Sequence, residues 1–169
     1  MLRIGIIGTG VMGAGHARFI KEEINNATVT ALFDIDTKKM QSLTDELGTV
    51  KLQTSDVVAL MNSELVDAII IASPDPLHVA HLREAIISKK PTLCEKPIAI
   101  NLKDAQEIAA EIKSYEKSDG KRKIHFGFML RFDPSYVEVR RLIATGDYGQ
   151  PLFFRTITRN VASVGATTP

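Results

Sequence analysis

The stretch "GIIGTGVMG", residues 5–13, decides the fold. A short apolar run ends on Gly8, Gly10 and Gly13 follow in G-x-G-x-x-G spacing, and a helical pattern opens directly after them. Alone, such glycines mark a tight turn as readily as a ligand site. Their surroundings separate the two: "RIGIIG" reads as a buried strand, residues 11–24 as a helix, and "TVTALFD" as a second strand ending on Asp34. An acidic residue about 20 positions beyond the glycines is what a dinucleotide fingerprint requires.

Each glycine then has a task. Gly8 permits the tight turn, Gly10 lets the backbone approach a pyrophosphate with no Cβ in the way, and Gly13 allows close packing of helix on sheet. The helix N-terminus offers free N–H groups to the anion. The turn residues Gly8, Thr9, Gly10, Val11, Met12 and Gly13, with Asp34 and its neighbour Ile35, are therefore the expected cofactor-binding residues. Asp34 would accept hydrogen bonds from the ribose hydroxyls and repel a 2′-phosphate, so NAD is expected over NADP. Lys38 and Lys39 lie close enough to soften that preference, although a solvated helix face also explains both.

Outward from this unit the alternation repeats. Asp36 or Thr37 caps a helix stopped by Gly48; "VKLQ" is a short strand; Ser55 opens a brief helix to Met61. "VDAIIIAS" is uniformly apolar from Ala68 to Ile71, which suits a strand covered on both faces. Pro76 fits the first turn of a helix through Ser88, "PTLCE" is strand five, Asn101 caps a long one-faced amphipathic helix, and "KIHFGFML" is strand six. The pattern predicts an α/β fold with a doubly wound parallel sheet of Rossmann type, its ligands at the carboxyl ends of the strands. After residue 130 the pattern changes. Asp133 and Pro134 start a helix ending near Gly146, and "LFFRTITRN" alternates as a strand of an antiparallel sheet would. Residues 1–130 are thus read as the NAD-binding domain, and 131–169 as the opening of a second domain.

Composition narrows the function. The 169 residues suffice for one core and the start of a second. Twenty-one basic and 20 acidic side chains give a net charge of +1, with no footprint for nucleic acid or anionic lipid. No apolar run approaches the roughly 20 residues that span a bilayer, and a glycine turn stands where a signal peptide would carry its apolar core, so a cytoplasmic protein is expected. Cys94 is alone and reads as a small buried hydrophobe.

At the carboxyl edge of strand five, "CEKP" places Glu95 and Lys96 ahead of Pro97. Neighbours in an extended segment point to opposite sides, so the two are expected to diverge, Glu95 toward structure or cofactor and Lys96 toward substrate. Pro97 could fix the exit through a cis bond. When a carbinol loses hydride from carbon and a proton from oxygen, negative charge grows on that oxygen, and a fixed ammonium beside it stabilises the transition state. Lys96 is the catalytic candidate.

"GIIGTGVMGAGHA", "ALFDID", "DAIIIASPDPLHVAHLREAI", "CEKPIA" and "GFMLRFDPSY…GDYGQPLFFRTITRN", in that order, resemble the Gfo/Idh/MocA oxidoreductases, inositol 2-dehydrogenase-like members above all. The resemblance implies an NAD-dependent dehydrogenase of a sugar, cyclitol or related polyol, homo-oligomeric when full length, and makes residues 131–169 the N-terminal part of an incomplete α+β substrate and oligomerisation domain. It makes Lys96 the catalytic lysine, sets Ser73 and His78 along the cofactor, and brings Met129, Arg131 and Asn160 toward the substrate. Two departures stand out. The histidine four residues after an aspartate that handles the proton in this family would fall beyond Pro169, so the resemblance implies truncation within the second domain, and turnover by these residues alone is not expected. Leu130 stands where the inositol-type pattern often carries a basic residue, which leaves the polyol open.

Other readings separate cleanly. A stand-alone NAD-binding or sensing module is the alternative to an enzyme, and a methyltransferase is disfavoured by the third glycine and by the lysine. His78, His81 and Glu84 could in principle gather a metal, but no metal is expected; His81 reads as an ordinary polar helix position, His125 as a satisfied core histidine, and His16 as packed or hydrogen-bonded locally.

Overall fold

The computed structural model describes residues 1–157. Six strands form one sheet: β1 (Leu2–Ile7), β2 (Ala27–Phe33), β3 (Leu52–Thr54), β4 (Ala68–Ile71), β5 (Thr92–Cys94) and β6 (Ile124–Phe126). Every pairing is parallel and the spatial order is β3-β2-β1-β4-β5-β6, so the order reverses between β1 and β4. That is the doubly wound Rossmann arrangement, with its crevice at the reversal.

Five helices flank the sheet: α1 (Val11–Glu23), α2 (Thr37–Leu47), α3 (Val57–Asn62), α4 (His78–Ser88) and α5 (Leu102–Asp119). Their ends follow local chemistry. The side chains of Asp36, Asp56 and Asn101 accept N–H groups of the first turns of α2, α3 and α5, and Gly48 and Gly120 close α2 and α5 in the left-handed conformation. Asp56 rather than Ser55 caps α3, and Pro76 lies in a separate 3-10 turn, Asp75–Leu77, so that α4 begins only at His78.

Two apolar clusters cover the sheet's faces. Ile4, Ile6 and Ile70 pack with Ala17, Ile20, Met40 and Leu43 of α1 and α2; Ile7, Ile69 and Ile71 pack with Leu60, Leu82, Ile108 and Ile112 of α3, α4 and α5. Alternating residues of β1 and β4 thus serve opposite faces, which is why these strands read as continuous apolar runs. In β2 the alternation is reset by one residue. Ile4 pairs with Val29 and Gly5 with Ala31, leaving Thr30 as a bulge whose hydroxyl donates to the Leu65 carbonyl at 2.6 Å.

The chain divides into two compact units, Met1–Phe128 and Met129–Pro169. In the second, Met129–Arg131 form a 3-10 turn and α6 (Pro134–Thr145) is capped by Asp133 and closed by Gly146. Two expectations are corrected here. Strand six stops at Phe126: the Gly127 N–H still donates to the Cys94 carbonyl, but the Phe128 N–H turns back onto the Phe126 carbonyl. Residues 152–157 form no strand; they pair with nothing among the described residues, and Leu152 and Phe153 are 98% and 83% exposed. Residues 158–160 of the same expected strand lie outside the described residues.

Candidate cofactor site

The glycine turn is built by contact. Gly8 has φ +95°, and a Cβ there would meet the Ala72 carbonyl oxygen at 2.6 Å, so both its conformation and its approach to the end of β4 demand glycine. At Gly13 a Cβ would stand 1.8 Å from the Gly8 carbonyl oxygen, which is how closely α1 seats on the turn. Gly10 is different: a Cβ there meets nothing within 4 Å. The protein itself gives no reason for a glycine at that position, whereas a pyrophosphate drawn against the backbone would. Gly10 also caps α1 with no side-chain hydrogen bond, which leaves the first-turn N–H groups free for an anion.

A cleft of about 530 Å³ lies over this turn, lined by Gly8, Gly10, Val11 and Met12 on one side and by Asp34, Ile35, Asp36 and Lys39 on another, with Ser73, Pro74 and Leu77 closing it. Thr9 and Gly13 do not line it; they are buried behind it as support. The Thr9 N–H and hydroxyl donate to Asp34 Oδ2 at 2.6 and 2.7 Å, and the Asp36 N–H donates to Asp34 Oδ1 at 2.9 Å. Partial burial would raise the Asp34 pKa, but these donors outweigh it and hold the carboxyl below its ordinary range. The residues fit a dinucleotide: a bare backbone for the pyrophosphate, a helix N-terminus beside it, and a fixed carboxylate for a ribose.

After β4 the structure reorganises the histidines. His78 is 1% exposed, with Nδ1 2.6 Å from the Pro97 carbonyl oxygen and Nε2 2.9 Å from that of Ser73. Carbonyl oxygens only accept, so the ring donates from the nitrogen that carries its proton, and its position between the two carbonyls links the loop after β4 to the loop after β5. It acts beneath the crevice. His81, expected to be an ordinary helix position, is buried: its Nδ1 lies 2.9 Å from Ser73 Oγ and its ring stands edge-on to Phe33. Burial, reinforced by His78 nearby, lowers its pKa. One face of α4 at i, i+3 spacing thus supports the Ser73 loop from below.

At the end of β5, Cys94 is fully buried and its thiol is pushed up to about 12, first by burial and then by Glu95 beside it, which suits an inert core residue. Glu95 is 8% exposed. His16 Nε2 of α1 donates to Glu95 Oε1 at 2.8 Å, the Lys96 N–H donates to Oε2 at 3.3 Å, and a Cβ on Gly127 would press against the same carboxylate at 3.0 Å. His16 therefore bonds across 79 positions of sequence, not locally. Lys96 is exposed and its ammonium makes no salt bridge among the described residues; it does not line the cleft above the glycine turn. The Lys96–Pro97 peptide bond is cis.

Met129 and Arg131 lie on the exposed 3-10 turn of the second unit, and Asn160 lies outside the described residues. His125 is corrected from core to exposed: β6 is an edge strand that turns Ile124 into the core and His125 the other way. Among the described residues no group of three or more His, Cys, Asp or Glu could hold a metal ion, and no helix is long and apolar enough to cross a membrane.

Residues 2–118 match the Gfo/Idh/MocA family, an oxidoreductase family with an NAD-binding Rossmann fold. Over 168 residues the chain is 36% identical to inositol 2-dehydrogenase 1 of Saccharopolyspora erythraea, covering 99% of this chain and 49% of that protein. Inositol 2-dehydrogenase 2 of Paenarthrobacter aurescens is 35% identical, with 99% and 49% covered. The crystal structure of myo-inositol dehydrogenase from Lactobacillus casei in complex with NAD(H) and myo-inositol is similar with a TM-score of 0.81 at 29% identity, covering 90% of this chain and 44% of that one. The chain spans about half the length of the curated relatives it matches. With the strand order, the glycine turn and a family match over most of its length in agreement, the chain belongs to the Gfo/Idh/MocA oxidoreductase family.

Proposed function

We propose that the chain is the cofactor-binding half of an NAD-dependent dehydrogenase acting on a cyclitol, sugar or related polyol. One observation carries the reading: Gly10 is bare where the protein has no use for bareness, between a free helix N-terminus and the fixed carboxylate of Asp34. The relatives are named for inositol, which supports a cyclitol, while Leu130 keeps the choice of polyol open.

NAD supplies the hydride acceptor. The chain's own residues orient and stabilise. The turn and the first N–H groups of α1 take the pyrophosphate, and Asp34 takes the adenosine ribose. Glu95 and His78 hold the backbone on either side of the Lys96–Pro97 bond, so the ammonium stands on a fixed base at the rim. As the substrate hydroxyl gives up its proton, Lys96 stabilises the charge that grows on oxygen. Met129, Arg131 and Asn160 contact the substrate, and a pair formed by an aspartate and a histidine four residues later, supplied outside these residues, takes the proton. The whole protein works in the cytoplasm as a homo-oligomer.

Titrating NADH by its fluorescence, then assaying polyol oxidation with NAD, tests this. Saturable NADH binding that Asp34→Ala weakens is the expected result; no binding overturns the reading. Turnover of a polyol by these 169 residues would contradict the need for an outside acid–base pair.

A further inference from the structure

Asp34 does not stand alone. Thr9 gives its carboxylate two hydrogen bonds, from N–H and from hydroxyl, both to Oδ2. Two positions on, Asp36 lines the same cleft and its Oδ2 lies 3.4 Å from Lys39 Nζ. Lys39 is the one basic residue among the described residues that line this cleft; Lys38 does not reach it. A cation here is the natural partner of a 2′-phosphate, and in this structure it is already engaged.

We propose that Thr9 and Asp36 are specificity-determining residues that set the preference for NAD over NADP, Thr9 by pinning the Asp34 carboxylate and Asp36 by engaging Lys39. The inference rests on the cofactor reading above and deepens it. A carboxylate offers about four lone-pair positions. Thr9 and the Asp36 N–H use three of them, so the group cannot swing aside for a phosphate without breaking bonds to its own backbone. Lys39 meets the second carboxylate instead of a phosphate oxygen, and Asp36 adds its own negative charge to the rim. Discrimination is thus shared by a network of four side chains. The Asp36 carboxylate also caps α2 through Oδ1, a task that serine performs as well.

The test is the ratio of dissociation constants for NADPH and NADH, measured by fluorescence titration on the 169-residue chain. Thr9→Val keeps shape and N–H but removes the hydroxyl; Asp36→Ser keeps the cap but frees Lys39. Each is expected to lower the NADPH-to-NADH ratio about threefold to tenfold, with thermal unfolding of the free chain little changed in Asp36→Ser and lowered in Thr9→Val by the loss of one buried hydroxyl bond. Adding Lys39→Met to Asp36→Ser is expected to return part of the NADPH affinity to its starting weakness, which a merely structural role of Asp36 would not do. An unchanged ratio in both single variants overturns the proposal, and a change in only one overturns the other residue's share. A ratio that falls in Asp36→Ser and stays down with Lys39→Met overturns the engagement of Lys39. If the unaltered chain binds NADH and shows no preference over NADPH, the inference fails while the cofactor reading stands; if it binds neither, both fail.

Discussion

The two ends of the sheet's carboxyl edge are finished in opposite ways. Over the glycine turn every polar side chain is already bonded to the protein: Asp34 to Thr9 and the Asp36 N–H, Ser73 to His81. At the end of β5 the Glu95 side chain is pinned by His16, but the pinning stops short of the lysine side chain. Glu95 accepts the Lys96 N–H and the His78 ring packs 2.6 Å from the Pro97 carbonyl oxygen, yet the Lys96 ammonium is exposed and in no salt bridge among the described residues. The first end is shaped to read a ligand by rigid complementarity, whereas the second presents a charge on a rigid base. A lysine neutralised by its own carboxylate would have little left for an oxygen that becomes negative during reaction.

The largest effect that could break this contrast lies within the turn itself. Gly13→Ala forces a methyl 1.8 Å from a backbone oxygen that cannot rotate away, so urea unfolding should show a loss of about 3 kcal/mol or more, together with loss of NADH binding. Gly10→Ala is its partner experiment. With open space around the new Cβ, stability should fall by no more than about 1 kcal/mol while NADH binding is lost; retained binding would show that no pyrophosphate sits there. Next, Asp34→Ala removes the acceptor of the buried Thr9 N–H and hydroxyl and should cost about 1–3 kcal/mol, whereas Lys96→Met should lie within about 0.5 kcal/mol of the parent. Equal costs at the two residues would erase the distinction between a pinned and a presented side chain.

Smaller effects sharpen it. His16→Ala strands the Glu95 carboxylate, and Glu95→Gln in the same background should relieve part of the loss, so a double-mutant cycle should return a coupling of about 1 kcal/mol. Strict additivity would remove His16 from the base of Lys96. Smallest is Asp67, at the amino edge of the sheet, where the Arg3 guanidinium holds its carboxyl well below the usual carboxylate range. A depressed folded pKa contributes stability above the unfolded value of about 3.9 and loses it as pH falls through the folded value. Asp67→Asn should therefore lower the unfolding temperature slightly at pH 7, less at pH 3, and leave NADH affinity untouched. A shift in that affinity would mean that the two edges are coupled.

What could be read from sequence was local. The caps at Asp36, Asn101 and Asp133, the uniform strand Ala68–Ile71 and the spacing of Gly8, Gly10, Gly13 and Asp34 carry their own instructions in neighbouring residues, and the structure follows them. What escaped depends on partners far away in the chain. His16 has no local signal for its bond to Glu95, though its place one turn past the third glycine puts it on the crevice side of α1. His78 and His81 were separable from a surface pair by one clue, their i, i+3 spacing on the apolar side of α4 with Leu82 and Ala85. A strand is the least local element: residues 152–157 alternate well, but alternation yields no ladder without a neighbouring strand, while α6 in the same unit forms from its own caps.

The central claim is that one dinucleotide reaches from Asp34 to Lys96, and a crystal structure of the chain grown with NADH tests it most directly. The account predicts the adenosine ribose on the Asp34 carboxylate, the pyrophosphate against Gly10 and the first N–H groups of α1, and the nicotinamide beside the Lys96 ammonium. A cofactor bound elsewhere, or one whose nicotinamide end leaves the sheet on the side away from Lys96, would contradict it.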